Sequence, residues 1–150
     1  ESQSAKIGTF GHGYTYGGHP LGCALGVKAI EIYQKRDILG RVRAMTPRFA
    51  ERIARFMEHP LIGNTRSSGL VGGIELVAAK ARAGHSRAAI AAQVVAFLQA
   101  RGAILRAIGD TIAICPPMII AEAELDELFD RLEGALNDGE DWVRKEGLRG

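Results

Sequence analysis

The chain is poor in cysteine. Cys23 and Cys115 are its only two, far apart and each inside an apolar segment. That excludes a disulfide-stapled scaffold and predicts reduced, buried thiols in a cytoplasmic protein. Long apolar runs are missing too: none reaches the ~18–20 residues that a membrane helix needs. The opening ESQSAKIGTF has no apolar core of signal-peptide kind. Charge of one sign is scarce. Lys and Arg number 19 against 17 Asp and Glu, and the basic residues are scattered among the acidic ones. A nucleic-acid surface gathers its cations on one face, so no nucleic-acid partner is expected.

Arrangements for catalysis are also lacking. No Ser-His-Asp or Cys-His set suggests itself. His12 and His19 stand seven apart with no Cys or acidic partner at ligand spacing, which speaks against a metal site. The lysines Lys6, Lys28, Lys35, Lys80 and Lys145 all sit in polar or helix-surface contexts, and none reads as a buried, activated amine.

What the chain does have is glycine, with six between Gly8 and Gly22. The stretch FGHGYTYGGHPLGCALG therefore reads as a loop that enters a helix at Pro20, where a fixed φ suits the first turn. Such a loop presents unpaired backbone N–H groups to an anion, and Thr15 adds a hydroxyl. Neither the Gly-Lys-Ser/Thr of a P-loop nor a GxGxxG after a strand is present. From spacing alone, a phosphate loop and a structural loop both stand.

Leu21, Ala24, Leu25, Ala29, Ile30 and Tyr33 recur at helical steps, predicting a helix to about Gln34. Asp37 reads as the cap of a second helix over 38–58, whose arginines mostly face water. RSSGLVGGIELV (66–77) predicts one or two strands, with Gly72-Gly73 marking a bulge or a close contact. A helix capped by Ser86 and stopped by Gly102 follows over 87–101. Ile104-Leu105 and Thr111–Ile114 read as short strands around the turn Gly109-Asp110. A last helix runs from Glu122 to about Asn137. The fold class expected is α/β of the α+β, two-layer kind, with helices packed on a small mixed or antiparallel sheet. Arg106, flanked by Leu105 and Ala107, is either a strand arginine paired with a carboxylate or a ligand-carboxylate fork; Arg66 carries the same two readings.

Three segments in order carry a resemblance. HGYTYGGHPLGCA, RSSGLVGGIELV and ILRAIGDTIAICPPMIIAEAELDEL resemble signature stretches of the class III, pyridoxal-phosphate-dependent aminotransferases, in their ω-transaminase branch. The likeness spans essentially the whole chain. Gly17 stands where the family usually has Ser, and Ser67 where it usually has Gly. The resemblance implies pyridoxal 5'-phosphate as cofactor. It implies that Thr15, with Tyr14 supplying a neighbouring amide, holds the cofactor phosphate of the other subunit of a homodimer. It implies that Arg106 is a mobile arginine that binds a substrate carboxylate. Residues 1–36 would be the end of the large domain, and 37–150 the C-terminal small domain. The reaction implied is amino transfer between an amine or amino acid and a keto acid such as pyruvate.

The family's cofactor-bearing lysine has no counterpart here, and no catalytic residue is assigned in this chain. The chain reads as a fragment, expected to be inactive alone. The alternative is a non-catalytic small-molecule-binding or dimerisation module derived from the same family.

Overall fold

The computed structural model describes residues 6, 8, 11, 13–77 and 90–148. Two compact units divide the chain, Glu1–Asp37 and Ile38–Gly150. The first contains helix α1 (Pro20–Lys35), with Pro20 in its first turn. Every residue of α1 is exposed, Leu21, Leu25 and Ile30 each by more than 60%. Asp37 ends the unit with φ +45°, a left-handed conformation that aspartate tolerates better than most residues.

The second unit runs α2 (Ile38–Arg55), a short 3-10 turn (Phe56–Glu58), β1 (Ile62–Ser68), β2 (Val71–Leu76), α3 (Ile90–Ala100), β3 (Arg106–Ile108), β4 (Thr111–Ile114) and α4 (Glu122–Lys145). The strands form one antiparallel sheet in the order β1-β2-β4-β3. This is the two-layer arrangement expected, with the sheet wholly antiparallel. The strand stretch 66–77 resolves into two strands joined through Gly69-Leu70. The bulge lies between Ile62 and Asn64 and not at the glycine pair.

Gly72 is instead a close contact. A β-carbon there would stand 2.1 Å from Ile53 Cδ1 and 3.1 Å from Phe49 Cε1, so it is where α2 presses onto the sheet. The first hairpin strand begins at Arg106, because its pairing partner is Ala113; Ile104 lies outside it and is 82% exposed. Asp110 turns the chain as expected, and its carbonyl accepts a 2.7 Å hydrogen bond from the Leu76 amide. Gly102, at φ +80°, ends α3 as expected, with the Ala103 amide reaching back to the Leu98 carbonyl. Ser86 lies outside the described residues.

The core fills one side of the sheet. Ile74, Leu76, Ile112 and Ile114 point to it and are fully buried, beneath Phe49 and Ile53 of α2, Ile90, Val94 and Leu98 of α3, and Leu125, Phe129 and Leu132 of α4. Phe129 sits 5.6 Å from Phe49 and 5.9 Å from Phe56, centroid to centroid. α4 continues eight residues past Asn137, taking in Trp142 and Val143. Gly139 lets it pass α3, since a β-carbon there would stand 2.6 Å from Val94 Cγ2. Both cysteines are free and exposed, which corrects the expectation that they are buried.

The α2 arginines do not simply face water. Arg41 donates to the carbonyls of Ile119 and Ile120 at 3.2 and 3.1 Å. Arg48 pairs with Asp126 and, at 3.5 Å, with Glu122; Arg52 pairs with Asp130 and lies over the Phe129 ring at 5.5 Å. The hydrogen bond from Arg48 holds the Asp126 carboxyl below its ordinary value, with the charges of Arg48 and Arg52 adding to it and desolvation opposing.

Two outcomes follow from this packing. Gly72→Ala overfills the α2–sheet contact and lowers stability by roughly 1–3 kcal/mol, read by urea denaturation. Because the folded-state pKa of Asp126 is depressed, its stabilisation is present above the ordinary carboxylate pKa of about 4 and is lost as pH falls through the folded value. Asp126→Asn therefore lowers the thermal midpoint at pH 7, and the difference from the parent chain closes toward pH 3.

Candidate functional site

The glycine loop is locally organised. The Gly17 amide donates to the Tyr14 carbonyl at 2.8 Å, which places Thr15 and Tyr16 at the centre of a turn. The His19 amide donates to Tyr16 at 3.1 Å, and the Tyr16 and His19 rings meet edge to face at 6.3 Å. Gly18 follows at φ +76°, a conformation that suits glycine, and α1 begins two residues later. Those bonds use the amides of Gly17 and His19. The Thr15 hydroxyl and the amides of Thr15, Tyr16 and Gly18 make no hydrogen bond within the described residues. Thr15 is exposed, and Tyr14 is 75% exposed. A neutral hydroxyl beside free amides is a donor set suited to phosphate oxygens. His12 lies outside the described residues.

Arg106 belongs to the other unit, Ile38–Gly150. It opens β3, exposed, and forms no hydrogen bond or ion pair with a described residue. No carboxylate partner for it stands among the described residues. The sheet register places it in a row. Arg66 stands opposite Gly73, Gly73 opposite Ala113, and Ala113 opposite Arg106. Residues directly opposite share a face, and this is the face without the core. With strands about 4.8 Å apart, roughly 14 Å separates the Arg66 and Arg106 backbones.

The Arg66 guanidinium bends over the row. A β-carbon on Gly73 would stand 3.6 Å from both Cζ and Nε of Arg66, and 3.3 Å from Thr111 Cγ2. A cleft of about 420 Å³ opens here, lined by Arg66, Ser67, Ser68, Val71, Gly73, Ile108, Thr111 and Ala113 among others. This grouping is absent from any local pattern. The sequence signal for it was the glycine pair, whose second member is the floor under the guanidinium.

Lysine adds nothing to the site. Lys28 pairs with Glu31 at 2.8 Å on exposed α1, and Lys6, Lys35 and Lys145 are exposed; Lys80 lies outside the described residues. The described residues thus fit the phosphate end of a pyridoxal-phosphate cofactor and do not fit its reacting end.

Residues 2–136 match the profile of the family described as aminotransferase class-III. Gamma aminobutyrate transaminase 1, mitochondrial, of Solanum lycopersicum is 38% identical over 146 residues, 96% of this chain and 28% of that protein. A gamma-aminobutyrate transaminase 1, mitochondrial, of Oryza sativa subsp. indica is 38% identical over 144 residues, 95% of this chain and 28% of that protein. The PMP-bound form of an aminotransferase from Vibrio fluvialis superposes with a TM-score of 0.82 at 35% identity, over 95% of this chain and 32% of its own. The omega transaminase from Pseudomonas jessenii in complex with PMP gives 0.81 at 31% identity, over 95% and 32%. The chain therefore spans little more than a quarter of the length of these curated relatives.

Proposed function

The chain belongs to the class-III aminotransferase family, and on that premise we propose that it is the C-terminal part of an ω-aminotransferase moving an amino group between an amine or amino acid and a keto acid such as pyruvate. Residues 1–36 close the large domain, and 37–150 form the small domain. The working unit is a homodimer in the cytoplasm. The free thiols of Cys23 and Cys115 accord with that compartment, whereas the plant relatives carry mitochondrial and chloroplastic names.

Pyridoxal phosphate, when bound, draws off the electron pair released as the substrate Cα loses its proton. This chain's residues bind and orient. The Thr15 hydroxyl donates to a phosphate oxygen, and the amides at Tyr14 and its neighbours donate beside it, across the subunit boundary. Arg106 presents its fork to a substrate carboxylate and turns aside for a substrate without one. The observation that carries the reading is the exposed Arg106 at the head of β3, whose side chain has no partner among the described residues. An arginine with a structural duty in this chain holds a carboxylate or a carbonyl, as Arg41, Arg48 and Arg52 do.

The alternative is a non-catalytic binding or dimerisation module. Its support is the lack of a buried lysine among the described residues. The two readings separate by assay. The 150-residue chain alone shows no pyruvate-dependent amine transfer under either. Together with the lysine-bearing domain it becomes active only under the first.

In that holoenzyme, Arg106→Ala lowers kcat/KM for pyruvate roughly 10- to 100-fold, the worth of a charge-assisted hydrogen-bonded pair, and leaves a ketone without a carboxylate unaffected. Equal losses on both acceptors would refute the role of Arg106. Thr15→Val weakens cofactor retention roughly tenfold, measured by the absorbance of released cofactor on dialysis.

A further inference from the structure

Arg66 is left unused by the proposed reaction and is exposed on the open face of the sheet. Its guanidinium lies along the sheet over Gly73, forms no hydrogen bond or ion pair with a described residue, and borders a cleft of about 420 Å³. Glu75 is the sheet carboxylate on the same face, but it stands in the next row, opposite Asn64 and Thr111, and pairs with neither arginine. The walls are otherwise apolar or small. Val71 and Ile108 stand exposed, Gly73 and Ala113 make the floor, and Ser68 and Thr111 are the hydroxyl-bearing residues of the same face. The volume falls in the range of small-molecule sites, ~300–1,000 Å³. Arg106 does not line the cleft.

We propose that this cleft binds a monocarboxylate with an apolar body, and that Arg66 holds the carboxylate. The chemistry is that of one fork above a mostly apolar slot. A guanidinium gives two parallel N–H donors to a single carboxylate. The methyl of Thr111 stands beside the same floor, and Val71 and Ile108 gain by covering a chain or ring that leaves water. A second carboxylate has no partner inside the cleft. The inference stands apart from the reading of Arg106 and does not depend on it.

The test is an NMR titration of the 150-residue chain with 4-phenylbutyrate, beside acetate and 4-phenylbutan-1-ol. Saturating shifts are expected at the Gly73, Thr111 and Ala113 amides with phenylbutyrate. Acetate and the alcohol bind about tenfold more weakly or not at all, each lacking one half of the recognition. Arg66→Gln weakens phenylbutyrate binding about tenfold, Ala113→Phe abolishes it by filling the slot, and Arg106→Gln leaves it unchanged. Acetate binding as well as phenylbutyrate would overturn the proposal, since the cleft would then hold only a head group, as a side chain from another domain presents. Unchanged affinity in Arg66→Gln, loss in Arg106→Gln, or no shifts at the three amides would overturn it equally.

Discussion

The two-residue period of a half-covered sheet governs the second unit. Ile74 and Leu76 of β2, with Ile112 and Ile114 of β4, must all leave water together, so they point to one side and draw α2, α3 and α4 over them. Every intervening residue is then sent to the other side. Gly73, Glu75, Thr111 and Ala113 reach the open face for this reason, and Arg66 and Arg106 follow through pairing. A slip of one residue in β4 would bury Ala113 and expose Ile112. The core and the candidate cleft are thus two consequences of one register.

The adjacent glycines of β2 show both sides of that rule. Gly72 faces the core and accepts the tips of Phe49 and Ile53; Gly73 faces outward and accepts the Arg66 guanidinium. A β-carbon at Gly72 would push α2 off the sheet, whereas one at Gly73 would meet only Thr111 and Arg66. The arginines divide in the same way. Arg41, Arg48 and Arg52 close the seam between α2 and α4, where carbonyls and carboxylates of α4 and the turn before it meet them. These pairs are largely exposed and help position α4 more than they stabilise it. Arg66 and Arg106 project where no acceptor stands among the described residues. Partnership, and not residue type, separates structural cations from those free to meet a ligand.

The first unit obeys a different economy. Its loop satisfies two amides internally, those of Gly17 and His19, and leaves those at Thr15, Tyr16 and Gly18 with no acceptor among the described residues. α1 carries Leu21, Leu25, Ile30 and Tyr33 fully or partly in the open. A helix with this much exposed apolar surface is stable in its setting only when something shields that surface. The family's relatives have some two-thirds more of their length outside the matched region, which is where the proposed large domain lies.

Helical periodicity, glycine and proline punctuation and the Gly109-Asp110 turn were enough to locate six of the regular elements, and three ordered motifs pointed to the family. These are local signals, read from neighbours in sequence. Local signals failed where distant residues decided the outcome. The last helix is expected to end near Asn137, yet α4 continues to Lys145, with Gly139 fitting against Val94. The α2 arginines are mostly exposed, as expected, and what the sequence did not show is that α4 supplies Asp126 and Asp130 as partners of Arg48 and Arg52. Cys23 and Cys115 sit among apolar neighbours yet stay exposed, since hydropathy along the chain does not say which face a residue takes. What the sequence determined by itself was the order of elements and the residue types in each motif, because both depend on backbone preferences a few residues long. What only the tertiary structure decided was that Arg66, Gly73, Ala113 and Arg106 form one row across four strands. That row exists through hydrogen-bond register between segments up to some forty residues apart, and register follows from which side of the sheet is buried.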